Sequence, residues 1–353
     1  MKIADIKYEV LRVKLNKPFV IAIGTLEYAE TIIIKVTTDE GLVGYGESSP
    51  FSPVTAETIE SVPGFLELFK KALIGQNPFE LEKIHKIMND ITVGNSSAKA
   101  GIDIALHDII GKKLHMPLYK ILGGYRNSFL TDMTVSLAPL DEMVQDAVSF
   151  VQEGFGILKI KAGLNPDDDI KVIKMIREAV GDGIRLRVDA NQGWSVKDAI
   201  RVIDVYQQYG VEAVEQPVKY WNIDGLAYIR NNSRLPIMAD ESLHSPEDAV
   251  KLAKSNAADI FNIKLMKSGG LYPALRINAI GESSGIPCML GAMLETRVSI
   301  TAAASLAAAQ KNITEADLDT DKYFGDMVTG GFSLENGLIT MLDKPGLGVE
   351  LNF

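Results

Sequence analysis

The sequence predicts an α/β fold in which a parallel barrel of eight strand–helix units follows a smaller α+β domain. Three observations predict it. Apolar, strand-like runs end at Thr134, Lys161, Asp189, Glu215, Asp240, Lys264, Gly291 and Asp317, at gaps of 27, 28, 26, 25, 24, 27 and 26 residues, each the length of one strand plus one helix. The first 50 residues read instead as antiparallel strands, and three helical stretches come after them. No Gly-rich phosphate fingerprint follows any of the eight runs, which argues against an open doubly wound sheet.

Taken in order, Thr31–Thr38 and Leu42–Glu47 flank Asp39-Glu40-Gly41, a hairpin turn signal. Helical periodicity occupies 55–75, 77–92 and 95–116. The pattern changes at Leu122-Gly123-Gly124-Tyr125-Arg126, so the expected division is 1–125, 126–322 for the barrel, and 323–353 as a Gly-rich tail that returns to the first domain. Asn165-Pro166-Asp167-Asp168 and Ser245-Pro246-Glu247-Asp248 each set a capping side chain before Pro at the first helical position, with acids in the first turn.

The chain has 353 residues, 46% of them hydrophobic, enough for a large core. Its net charge of −10 disfavours nucleic acid and anionic membranes as partners. No signal-peptide pattern opens it and no run approaches the ~20 apolar residues of a membrane span, so a cytoplasmic protein is expected. The single cysteine, Cys288, lies in the apolar run 286–290 and reads as a buried, inert thiol. Gly281-Glu282-Ser283-Ser284-Gly285 matches a nucleophile-elbow pattern, but it follows a helix and precedes a strand, the reverse of what that turn needs.

The chemistry is written at the strand ends. In Gly156-Ile157-Leu158-Lys159-Ile160-Lys161 the alternation puts Lys159 and Lys161 on one face. Alone, this run could be an edge strand with solvated lysines. The next three strands, however, end in Asp189, Glu215 and Asp240. Carboxylates that converge on one rim repel each other unless a cation joins them, and three oxygen ligands suit Mg²⁺. None of the four histidines falls on a strand end, which disfavours Zn²⁺. Lys161 on the second strand and Lys264 on the sixth are half a barrel turn apart and face each other across the mouth. That geometry suits removing a proton from one face of a carbon and returning it to the other. Asp317 and Asp319 on the eighth strand form an ammonium-binding pair, with a second metal site or solvated loop acids as rival readings.

These residues resemble the enolase superfamily, and within it the muconate-lactonizing subgroup, which carries a Lys-x-Lys motif on strand two and a Lys on strand six. The resemblance extends over nearly the whole chain, including Gly44-Tyr45-Gly46-Glu47 and Lys344-Pro345-Gly346-Leu347-Gly348. Asp317-Leu318-Asp319 is similar to the motif that sets dipeptide epimerases apart. The resemblance implies a (β/α)₇β TIM-like barrel under an N-terminal α+β capping domain completed by the C-terminal tail. It further implies Mg²⁺ on Asp189, Glu215 and Asp240, and Lys161 and Lys264 as the two acid/base groups, with Lys159 assisting Lys161. Asp317 and Asp319 would take the substrate's α-ammonium, beside Thr134 at the first strand end. The activity implied is epimerisation of L,L-dipeptides at the C-terminal Cα through a metal-stabilised enolate. The enzyme is expected to be a homo-oligomer. Lyases of the o-succinylbenzoate synthase or muconate cycloisomerase type are the alternative, and a non-catalytic metal-stabilised scaffold is another. The acid pair argues against the first and the opposed lysines against the second.

Specificity is expected to lie in two capping loops. In the Ala-Glu branch of that family an arginine of the first loop meets the substrate's glutamate, and here its position falls on Gly24. No Lys or Arg occurs between Phe19 and Ala29, while Phe19, Ile21, Ile23, Leu26 and Tyr28 offer an apolar wall. The second loop, with Phe51, is also uncharged. A bulky apolar or aromatic C-terminal side chain is therefore expected, with Glu27 leaving a cationic one as second choice.

Overall fold

The computed structural model describes residues 1–352. It opens on a long antiparallel ribbon, β1 (Ile3–Ile21) with β2 (Gly24–Thr38), to which β3 (Val43–Ser48) adds across the turn at 39–42. The ribbon register runs from Ile3 opposite Thr38 to Ile21 opposite Gly24, and breaks between Lys14 and Phe19. On one face Ile32, Ile34 and Val36 pack with Leu66, Phe69, Ile84 and Met88 of the helices. The stretch 55–75 is not one helix. A short turn, Ser52–Thr55, stops at Ala56 in the left-handed region (φ 58°), and Pro63 restarts the chain as the helix Val62–Leu73. The next two helices are Leu81–Ile91 and Ser96–Lys113.

Helix Ser96–Lys113 is buried on nearly every side, and β3 lies directly on its backbone. A Cβ on Gly44 would come 2.1 Å from the Ala105 carbonyl oxygen, and one on Gly46 would come 1.9 Å from that of Gly101. Only glycine permits this approach. It sets the residue that follows, Glu47, over the barrel.

After β4 (Ser128–Leu130) come the eight barrel strands. They are β5 (Met133–Val135), β6 (Ile157–Lys161), β7 (Arg185–Asp189), β8 (Val211–Glu215), β9 (Ile237–Ala239), β10 (Ile260–Lys264), β11 (Cys288–Gly291) and β12 (Ile313–Asp317). They neighbour one another in chain order, and every pair is parallel. The circle is nearly closed. Asp132 N donates to Ala316 O (3.2 Å) and Leu318 N to Thr131 Oγ1 (2.9 Å), beside β5 and β12. Six of the eight expected strand ends are the last residues of their strands, and Thr134 and Asp240 lie one residue from theirs. Both expected caps form: Asn165 accepts from Asp167 N and Asp168 N, and Ser245 forms a reciprocal box with Asp248.

The last residues make β13 (Val328–Gly330), β14 (Phe332–Glu335), β15 (Leu338–Met341) and β16 (Val349–Leu351). β15 pairs with β4, while Gly346 accepts from Leu118 N and Leu347 N donates to Asp108 on helix Ser96–Lys113. None of the described helices is long and apolar enough to cross a membrane.

Glu47 ties the first three strands to the barrel. Its carboxylate is fully buried and accepts from Thr31 Oγ1 (2.8 Å), Thr296 N (2.7 Å), Thr296 Oγ1 (2.6 Å) and Ser299 N (3.0 Å), at the start of helix Arg297–Ala309. Burial raises its pKa, and these donors work against that rise. Removing the acceptor leaves several buried donors without a partner. Glu47→Ala should therefore lose about 3 kcal/mol or more of stability, read as a lower urea midpoint; an unchanged midpoint would show that the clamp contributes nothing.

Candidate active site

Strand alternation and register place the charged groups. β6 is buried along its whole length, with Lys159 1% and Lys161 6% exposed, so the solvated edge-strand reading fails. Lys161 pairs in register with Asp189, and Asp189 with Glu215, so three strand ends stand side by side. Asp240 follows immediately after β9. Carboxylate oxygens of Asp189, Glu215 and Asp240 all lie within 4.8 Å of one another, each on a buried residue.

Charge at this cluster is crowded. Burial first, and the neighbouring Asp189 carboxylate second, push Glu215 up to about 8. Lys159 Nζ is drawn between Asp317 Oδ2 (2.7 Å), Glu215 Oε2 (2.9 Å) and Asp189 Oδ2 (3.1 Å). Burial favours the neutral form of Lys159, but attraction to Asp317, Glu215 and Asp189 outweighs it and holds the ammonium well above its ordinary value. Lys161 Nζ bonds Asp189 Oδ2 (2.7 Å), and Lys264 Nζ bonds Asp240 Oδ2 (2.9 Å). For Lys264 too, burial favours the neutral form, but attraction to Asp240, Glu215 and Asp189 together raises the pKa. The lysines thus rest on two different members of the triad, one on each side. The donor set, all carboxylate oxygen without His or Cys, suits a hard, oxygen-seeking cation such as Mg²⁺.

A cavity of about 90 Å³ collects most of the expected residues. Lys159, Lys161, Lys264 and Asp240 line its floor, Thr134, Asp317 and Asp319 one end, and Phe19, Ile21 and Phe51 the roof. Thr134 N donates to Asp319 Oδ2 (2.8 Å), and its hydroxyl lies 3.5 Å from Asp317 Oδ1. Ile23, Leu26, Tyr28 and Leu294 extend the apolar wall. Gly24 is not part of that lining. It lies behind Phe51, where a Cβ would meet the ring at 3.6 Å. Glu27 does not line the cavity either; from the ribbon the lining acid is Glu30, paired with Arg12 (2.8 Å).

Several residues at the site carry no mark in the sequence reading. Asn262, two before Lys264 and on the same face, donates to Glu215 Oε1 (2.7 Å), and strand alternation could have found it. Lys267 ion-pairs with Asp240 from the short turn Leu265–Ser268, where the strand period no longer applies. Gln216 and Asn191, at φ 36° and 39°, sit in strained turns just past their strands. Gln216 Oε1 accepts from Asp240 N and Ser242 N, which fixes the Asp240 turn. Cys288 is buried, which pushes its thiol up to about 12 and keeps it unreactive. The Gly281–Gly285 pattern ends a helix before β11, in the order that excludes a nucleophile elbow.

Comparison with known proteins places this geometry among relatives. Residues 5–123 match the family model described as "Mandelate racemase / muconate lactonizing enzyme, N-terminal domain", and residues 142–353 match "Enolase C-terminal domain-like". The chain is 48% identical to the "Hydrophobic dipeptide epimerase" of Enterococcus faecalis, covering 99% of this chain and 100% of that one. It is 44% identical to the "L-Ala-D/L-Glu epimerase" of Clostridium acetobutylicum, covering 99% of each. A crystal structure of the Enterococcus faecalis V583 dipeptide epimerase, complexed with Mg and L-Leu-L-Tyr, superposes with a TM-score of 0.96 at 47% identity, over 99% of this chain and 100% of that one.

The cluster geometry predicts a cation-dependent midpoint. Saturating Mg²⁺ at about 100 times its Kd should add about 2.7 kcal/mol of stability, seen as a rise in Tm that chelator reverses and Glu215→Gln removes. An equal rise in the variant would place the ion elsewhere.

Proposed function

This chain belongs to the enolase superfamily, and we propose that it is a Mg²⁺-dependent dipeptide epimerase that inverts the Cα of the C-terminal residue of L,L-dipeptides, preferring apolar and aromatic side chains there. The observation that carries this reading is one cavity lined by Lys161 and Lys264, which bond Asp189 and Asp240 of the carboxylate triad, with an acid pair and an apolar roof in the same lining. Asp189, Glu215 and Asp240 would hold Mg²⁺, whose positive charge would make the α-proton of a substrate carboxylate more acidic. Asp317 and Asp319 hold the α-ammonium and so fix which carbon lies between the lysines. Lys161 removes the proton from one face of Cα, and Lys264 delivers one to the other, so the centre inverts and the proton count balances. In the reverse direction the two exchange roles. Lys159, held charged against Asp317, stands beside Lys161 as its electrostatic support.

The acid pair separates this reading from the cycloisomerase and o-succinylbenzoate synthase types, whose substrates lack an ammonium group. The lysines separate it from a mere binding scaffold, which needs no acid/base pair. On the same reading residues 1–125 and 323–353 form a cap over the barrel of 126–322, and the enzyme works in the cytoplasm as a homo-oligomer.

Two experiments test it. Lys161→Ala and Lys264→Ala should each lower epimerisation by about 10²-fold or more, followed by chiral chromatography of the dipeptide. Each variant should still exchange the α-hydrogen of the one epimer that faces its remaining lysine; substantial epimerisation by either would end the two-base assignment. For specificity, a buried apolar side chain gains about 1.5–3 kcal/mol, whereas a buried carboxylate without a cation costs several. The expected kcat/KM for L-Ala-L-Tyr or L-Ala-L-Leu exceeds that for L-Ala-L-Glu by about 10²-fold or more. The opposite order would remove Phe19, Ile21 and Phe51 from the specificity wall.

A further inference from the structure

A second cavity, of about 370 Å³, lies outside the active site, between helices Leu81–Ile91 and Ser96–Lys113 on one side and, on the other, residues 244–247 and 267–276 of the barrel, which include the first turn of helix Leu271–Ser283. That is far more than the ~10–15 Å³ one water needs. Its lining carries three cationic side chains, Lys99, Lys267 and Arg276, beside the rings of His85 and His244, against Glu247 as the lining acid. Two of these cations are already matched, Lys267 by Asp240 and Arg276 by Glu82 (3.3 Å). Lys99 is not. It is only 7% exposed, and its Nζ donates to two neutral acceptors, Asn89 Oδ1 and the Thr92 carbonyl, both at 2.8 Å. No carboxylate oxygen of a described residue comes within 4.0 Å of it. The acid that acts on it from farther off, Glu57, turns its oxygens to Ser97 N (2.8 Å) and Ala98 N (3.1 Å).

A buried ammonium with one N–H to spare and no counter-charge is costly, and a cavity at its tip offers the means to relieve it. We propose that this cavity binds a small oxyanion, a carboxylate or a tetrahedral dianion, seated on Lys99 and facing Arg276 across the mouth. Burial lowers the pKa of Lys99, the direction an arriving anion would reverse. Arg276 is held in place by stacking on Tyr272 (4.5 Å), and Tyr272 in turn stacks on His85 (4.9 Å). The site joins both halves of the molecule. Thr55, in its wall, receives the Phe51 N–H (3.1 Å), and the neighbouring Val54 carbonyl is hydrogen-bonded to His244 Nε2 (3.0 Å). An anion here therefore steadies the turn Ser52–Thr55, and the residue just before it, Phe51, roofs the active site.

The test uses the Mg²⁺-loaded protein, with sodium sulfate as tetrahedral probe and sodium acetate as carboxylate probe, each against sodium chloride at equal ionic strength. Sulfate stabilises proteins generally by exclusion from their surface, so the reading is the difference between wild type and Lys99→Met. At least one probe should raise the wild-type Tm by about 2–4 °C more than it raises that of the variant, and saturably. Response to sulfate alone assigns a phosphate-like ligand, and response to acetate as well assigns a carboxylate. Asn89→Asp supplies a counter-charge beside Lys99, so it should raise the anion-free Tm and abolish the response. Equal responses in wild type and Lys99→Met, or an undiminished response in Asn89→Asp, would overturn the proposal.

Discussion

The structure depends on charge compensation at the rim of the barrel. Asp189, Glu215 and Asp240 stand too close to be ionised together without positive charge among them, and Lys159, Lys161 and Lys264 supply it in pairs that cross from strand to strand. Buried ion pairs add little stability by themselves, and removing one partner is expensive. Their value here is positional. Lys161 is held against Asp189 and Lys264 against Asp240, and the register of β6, β7 and β8 sets Lys161, Asp189 and Glu215 side by side without any loop having to do so. A site built on strand ends is more rigid than one built on loops.

The first three strands add what the barrel lacks. Their ribbon turns at Ile21–Gly24 and carries Phe19 and Ile21 over the mouth, while the turn after β3 brings Phe51 from the other side. Both depend on a close contact made only where Gly44 and Gly46 let β3 sit on helix Ser96–Lys113. Glu47, next along, then fastens that strand to the start of helix Arg297–Ala309. The charged groups on the rim and the apolar roof over them thus come from separate parts of the chain, joined by one buried carboxylate.

Much of this was legible in the sequence because it follows from periodicity. The spacing of the strand ends forecasts Lys161, Asp189, Glu215, Lys264 and Asp317 as terminal residues, since a strand–helix unit has a nearly constant length. What escaped depends on contacts between distant segments. Lys267 leaves a turn beyond its strand, and Gln216 acts through a strained backbone (φ 36°), so neither follows a period. The helix expected from residue 55 onward breaks at Ala56, whose left-handed conformation no turn residue announces. In the roof, Phe19, Ile21, Ile23, Leu26, Tyr28 and Phe51 line the cavity as alternation and loop position suggested, while Gly24 and Glu27 are not among the lining residues. Which residues of an irregular ribbon face inward is set by its register break near residues 14–19, not by alternation alone.

The central claim is that two lysines serve opposite faces of one carbon, and a first-turnover isotope measurement tests it most directly. Wild-type enzyme in excess, exchanged into D₂O, is mixed with protiated L-Leu-L-Tyr and quenched within one turnover, and the L,D product is separated and weighed. With Lys264 delivering the incoming proton from solvent-exchanged ammonium, nearly every product molecule carries one deuterium at Cα. Product that keeps its original protium would mean that a single group removes and returns the same proton, and would contradict the account.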